Sequence, residues 1–132
     1  RQWNRTAWKD RIFDLKTLPA CFYFYDTNDV GYALLNHEDP EVKYFAVREL
    51  GRRREPIALQ FLADYGLKVT RGDRRVKKLA HETLIFRAHY LFLVRRTPTE
   101  RNLEAFRRWL ADHLSAITWA EEYDNFIVPQ AP

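Results

Sequence analysis

Asp39-Pro-Glu-Val-Lys-Tyr-Phe-Ala-Val-Arg-Glu-Leu50 can be laid on Asp73-Arg-Arg-Val-Lys-Lys-Leu-Ala-His-Glu-Thr-Leu84 at an offset of 34 residues. Asp, Val, Lys, Ala and Leu coincide at positions one, four, five, eight and twelve, and Phe45 and Leu79 are both apolar at position seven. Each stretch opens on an Asp whose short carboxylate suits a helix N-cap. Pro40 stands where a first-turn proline is tolerated. Val42, Phe45, Ala46 and Leu50, like Val76, Leu79, Ala80 and Leu84, then recur at helical spacing, which predicts two amphipathic helices with equivalent apolar faces.

The likeness extends outward. The first helix is followed by Gly51-Arg-Arg-Arg-Glu-Pro56 and a helical stretch from Ile57 to Tyr65. The second is expected to run long, from Val76 to Arg95. It leads through Val94-Arg-Arg-Thr-Pro98 to a helix from about Thr99 to Ile117. In both copies a proline able to open a helix follows the arginines. Asp29 to Glu38 reads as the helix before the first copy. The unit is helix, arginine turn, helix, loop.

The signature Asp39-Pro40-Glu41-Val42-Lys43, Ala46, Leu50-Gly51, echoed by Asp73, Val76-Lys77, Ala80 and Leu84, resembles HEAT-like repeats, in particular the short type of bilin-lyase relatives. The resemblance covers residues 29–117. It implies an all-α fold, a short solenoid-like stack of helical pairs, with irregular ends at 1–28 and 118–132 in a single domain of 132 residues. Gly51 has no counterpart in the second copy. In the N-terminal region Trp3, Trp8, Ile12, Phe13 and Leu15 share a helical face, and Leu18 to Tyr25 reads as an extended aromatic segment capping the first repeat. The stretch from Trp119 to Pro132 reads as a tail lying on this protein or on a partner.

The chain carries 22 basic and 18 acidic residues. Residues 39–108 hold seventeen basic and nine acidic ones, whereas residues 109–132 hold four acidic and none basic. A basic middle suits nucleic acid, anionic lipid headgroups or an acidic protein face. Cys21 is the single cysteine, which excludes an intrachain disulfide and leaves a buried thiol as its expected state. The most apolar stretch, Leu84 to Val94, is far short of the roughly twenty residues a membrane span needs and carries Arg87 and His89, so no transmembrane segment is expected.

Catalytic signatures are scarce. His37, His81, His89 and His113 form no i, i+4 ligand pair. The four glycines are scattered and Ser115 is the sole serine. Asp10 and Asp14 lie four apart, where a solvated face is the ordinary explanation. No catalytic residue, cofactor or metal site is assigned. Two other groups stand out. Arg52, Arg53 and Arg54 should lie beside Arg95 and Arg96 where equivalent turns stack. That ladder of guanidinium groups would meet an anion or acidic partner, or the same cations would settle helix C-termini. Arg71, Arg74, Arg75, Lys77 and Lys78 are expected on the opposite edge, near Asp39. Ile85, Phe86, Tyr90, Phe92, Trp109 and Trp119 make an apolar surplus beyond what so short a stack covers, the composition of a partner interface.

The resulting expectation is a non-enzymatic subunit of a larger protein assembly. The Arg1 start, with basic residues at 5, 9 and 11, suggests leader removal and a mitochondrial accessory subunit of a respiratory or ATP synthase complex, in the matrix or peripheral to the membrane. The alternative is a basic HEAT-like nucleic-acid-binding protein, an organellar ribosome subunit or a relative of the HEAT-like DNA glycosylases. A bilin-lyase-like enzyme or chaperone ranks last, since fold does not carry function.

Overall fold

An aspartate caps the start of each of three helices. Asp26 accepts from the Asp29 N–H at 2.9 Å, Asp39 from the Glu41 N–H at 2.9 Å, and Asp73 from the N–H groups of Arg75 and Val76 at 3.0 and 3.2 Å. Each bond satisfies donors that a helix leaves open at its first turn, worth about 1 kcal/mol. The computed structural model describes residues 19–68, 72–91 and 100–129. The expectations for Trp3, Trp8, Asp10, Asp14, Arg71, Phe92, Arg95 and Arg96, and for the Cys21 side chain, lie outside the described residues.

The helices are α1 (Thr27–Asn36), α2 (Pro40–Leu50), α3 (Ile57–Lys68), α4 (Arg74–Arg87) and α5 (Glu100–His113). A 3₁₀ turn at Pro19–Phe24 precedes them. After them come 3₁₀ turns at Leu114–Ala116 and Glu121–Tyr123 and two short strands, β1 (Thr118–Ala120) and β2 (Asn125–Ile127). The fold is therefore mostly helical, as the sequence predicts.

The helices lie in two rows. In one row α3 packs against both α1 and α5; in the other α2 packs against α4. Across the rows α1 meets α2 and α3 meets α4. The repeated apolar positions face inward: Val42, Ala46 and Leu50 of α2, and Val76, Ala80 and Leu84 of α4, are all buried. In α3, Ala58, Leu59 and the run from Phe61 to Tyr65 are buried, as a helix enclosed on several sides requires. Two glycines let neighbours approach. A Cβ on Gly31 would lie 2.3 Å from the Phe61 ring, and one on Gly66 would lie 3.1 Å from Leu103 Cδ1 and 3.2 Å from His81 Nε2.

Polar contacts tie the rows at their edges. Arg107 reaches Asp64 at 2.6 Å between α5 and α3. Thr27 donates to Glu55 at 2.5 Å. Arg75 donates to Glu41 at 2.8 Å, joining α4 to α2 across the 34-residue offset, and its guanidinium lies 4.5 Å from the centre of the Tyr44 ring. This places Arg75 near Asp39 and the start of α2, on the edge expected for the second basic group.

Three expectations are corrected. The helix expected over 76–95 ends at Arg87, where the Asn125 amide donates to the Phe86 carbonyl at 2.7 Å, satisfying one of the acceptors that a helix end leaves open. The segment from Pro19 to Phe24 is a 3₁₀ turn instead of extended, with Phe22 buried and Tyr23 and Phe24 outside. The last helix stops at His113 instead of Ile117, and a 3₁₀ turn continues it.

Gly31→Ala should destabilise the fold by about 2 kcal/mol despite alanine's better helix propensity, because the added methyl must displace the enclosed Phe61 ring. Chemical denaturation followed by far-UV circular dichroism measures this; a neutral or stabilising result would show that Phe61 moves freely.

Candidate functional site

The C-terminal segment lies on its own chain. Trp119 stands opposite Phe126 in the antiparallel pair β1–β2, with ring centroids 5.1 Å apart and nearly perpendicular. The turn between the strands closes through Asp124 at φ 49°, a left-handed conformation that Asp tolerates better than most residues. Phe126 and Ile117 are buried in the helical core.

Arg87 fastens this hairpin to the helices. Its Nε donates to the Gly51 carbonyl at 2.8 Å and its Nη1 to the Asp124 carbonyl at 2.6 Å. Its guanidinium lies over Trp119 at 5.2 Å and over Phe86 at 5.0 Å. Arg54 approaches Trp119 at 5.4 Å and pairs with Glu121. Trp119, expected at a partner interface, is thus enclosed by two arginines and Phe126.

The arginine turn divides by environment. Arg53 is largely enclosed: Nε donates to Glu49 at 2.8 Å and Nη2 to the Phe22 carbonyl at 2.8 Å. Arg54 is held by the hairpin. Arg52 is exposed, 3.9 Å from Glu49. These side chains share an open groove of about 620 Å³ with Tyr23 and Glu55. With Glu49 and Glu55 among them, the three arginines are largely matched by local carboxylates. Trp109 is half-buried, stacked on His113 at 4.5 Å.

The aromatic surplus gathers elsewhere. Where α4 ends, Glu82, Ile85, Phe86, His89 and Tyr90 meet Tyr123 and Asn125 of the hairpin around an open groove of about 470 Å³. Phe86 is 60% exposed, and Tyr90 and Tyr123 are each 52% exposed. The Tyr90 and Tyr123 rings lie 5.2 Å apart at 47°, and His89 sits edge-on to Tyr90 at 4.9 Å. Of the residues expected at an interface, Ile85, Phe86 and Tyr90 come together here. Sequence reading assigned no site role to Glu82, His89 or Tyr123. Tyr123 is 33 residues from Tyr90, and only the fold of the hairpin brings the two together.

Two buried groups bear on stability. His81 Nε2 is buried and unbonded; burial, then the neighbouring charge of Lys77, holds its pKa below the ordinary imidazole value. Tyr65 is fully enclosed, and burial, then Asp73, raises its phenol. Among the described residues no group of three metal-ligating side chains converges and no helix is long and apolar enough to cross a membrane. Compared with protein-family models, curated proteins and solved structures, the chain finds no match.

Arg87→Ala should loosen the hairpin at a cost of about 1–3 kcal/mol, since two carbonyls lose a charged donor. A red shift of tryptophan emission that disappears in a Trp119→Phe background reports it; unchanged emission would place the hold on the hairpin elsewhere. His81 gives a pH dependence. The unfolded chain takes a proton below about pH 6.5 while the folded chain resists it, so stability is present above that pH and declines below it. His81→Leu should flatten part of this decline in urea midpoints measured between pH 7.5 and 5.5; an unaltered slope would assign it to other groups.

Proposed function

We propose that this chain is a non-enzymatic helical-repeat interaction module that seats within a larger protein assembly through the aromatic groove at the end of α4. The observation that carries the reading is that groove. The buried apolar residues form a closed core, yet Phe86, Tyr90 and Tyr123 stay exposed together around one concavity. Large apolar rings held outside a filled core are the ordinary composition of an interface centre.

The two-row packing supports the HEAT-like reading of the repeat. Helices α2 and α4, aligned by sequence, lie side by side, and Glu41 and Arg75, equivalent positions of the two copies, contact each other. Nucleic-acid binding ranks second: Arg53, Arg54, Arg75, Arg87, Arg107 and Arg108 all have carboxylate partners in the chain itself, which leaves fewer cations to displace counterions from a phosphate backbone.

A photo-crosslinking residue at Tyr90 in the full chain, expressed in its native cells, should yield defined covalent adducts with one or two other proteins. The same residue at Arg108, exposed on α5, should not give those adducts. Phe86→Ser with Tyr123→Ser should abolish them while altering stability by less than about 0.5 kcal/mol per site. Identical adducts from both positions, or adducts that survive the double substitution, would remove the groove from the interface.

A further inference from the structure

Among the described residues, several aromatic rings carry a cation from the chain itself. Arg75 lies over Tyr44, Arg48 over Phe45, Lys43 over Tyr65, Arg54 and Arg87 over Trp119, and Arg87 also over Phe86. Tyr90 and Tyr123 pack on each other, and among the described residues no Lys or Arg covers either ring. The groove they form contains one carboxylate, Glu82, and no basic residue apart from His89. Glu82 is exposed and, among the described residues, has no ion-pair partner. The hairpin adds Glu122 beside Tyr123, exposed and, among the described residues, without an ion-pair partner, whereas Glu121 and Asp124 are matched by Arg54 and Arg87.

Two exposed tyrosine rings and one carboxylate on a single concavity, with a second carboxylate next to it in sequence, form the complement of a planar cation. A guanidinium stacks on a tyrosine face and presents a fork of donors that fits a carboxylate. We infer that the groove docks an arginine-bearing basic segment of a partner protein, with a guanidinium against Tyr90 and Tyr123 and its N–H donors directed to Glu82. This rests on the interface reading above and names the chemistry of the partner.

The experiment uses the full chain and three fluorescein-labelled peptides of sequence Gly-Ser-X-Gly-Phe-X-Ser-Gly, with X arginine, citrulline or glutamate. Fluorescence anisotropy at low and moderate salt reads binding. The arginine peptide should bind, weaken as salt rises, and lose about three- to tenfold in affinity with Glu82→Gln and with Tyr123→Leu. Arg52→Ala, on the other groove, should leave affinity unchanged. Citrulline keeps the shape and removes the charge, so that peptide should bind at least several-fold more weakly. Equal binding of the citrulline and arginine peptides, sensitive to Tyr123→Leu, would overturn the cationic partner and leave the interface standing. Preference for the glutamate peptide, or arginine binding indifferent to both groove substitutions, would overturn the inference. Failure of all three peptides would overturn it too, and the Tyr90 crosslink would then decide separately whether the groove is an interface. Thermal denaturation followed by circular dichroism confirms that each variant is folded before its affinity is read.

Discussion

Phe61 lying over Gly31 sets the spacing on which both rows of helices depend. The ring needs a backbone without a Cβ beneath it, and the Tyr32 ring meets it edge-on at 5.7 Å. With that approach secured, α3 is enclosed by α1 on one side and α5 on the other, and α4 closes over it from the second row. Close packing of this kind transmits displacement instead of absorbing it. A shift at Gly31 would be felt at Gly66, where His81 and Leu103 meet the same helix.

A second organising element is the edge where α2 and α4 end. The Gly51 carbonyl, the Phe86 carbonyl and the Asp124 carbonyl receive side-chain donors from Arg87 or Asn125. The hairpin thereby finishes the end of α4 and completes one wall of the aromatic groove. Fold and candidate site are coupled: the residues that anchor the tail are neighbours of those that remain exposed. Arg87, which a charge count would offer to an outside anion, is used for this anchoring, because a charged donor bonds a carbonyl more strongly than a neutral one.

The legible part of the fold was what short-range periodicity encodes. The Asp-headed segments gave the caps of α2 and α4 and their inward faces, because N-caps and apolar spacing act within a few residues. The end of α4 was not legible. From Leu84 onward the side chains are helix-compatible, and the donor that meets the freed Phe86 carbonyl is Asn125, 39 residues later in the chain. The same holds for the groove. Phe86 and Tyr90 stood out by spacing, whereas Tyr123 belonged to an unpatterned tail until the left-handed turn at Asp124 folded it back. The 3₁₀ turn at Pro19–Phe24 was missed because an aromatic run carries no period that separates extended chain from a tight turn.

Glu41 and Arg75 occupy the same place in the two aligned segments and carry opposite charges. The same residue at both places would set two carboxylates, or two guanidinium groups, face to face between α2 and α4. The opposite charges instead attract, and they meet in the observed placement of α4 on α2. Both side chains are largely in water, so the bond adds little to stability. Its effect is on register, since sliding α4 along α2 would part the two charges.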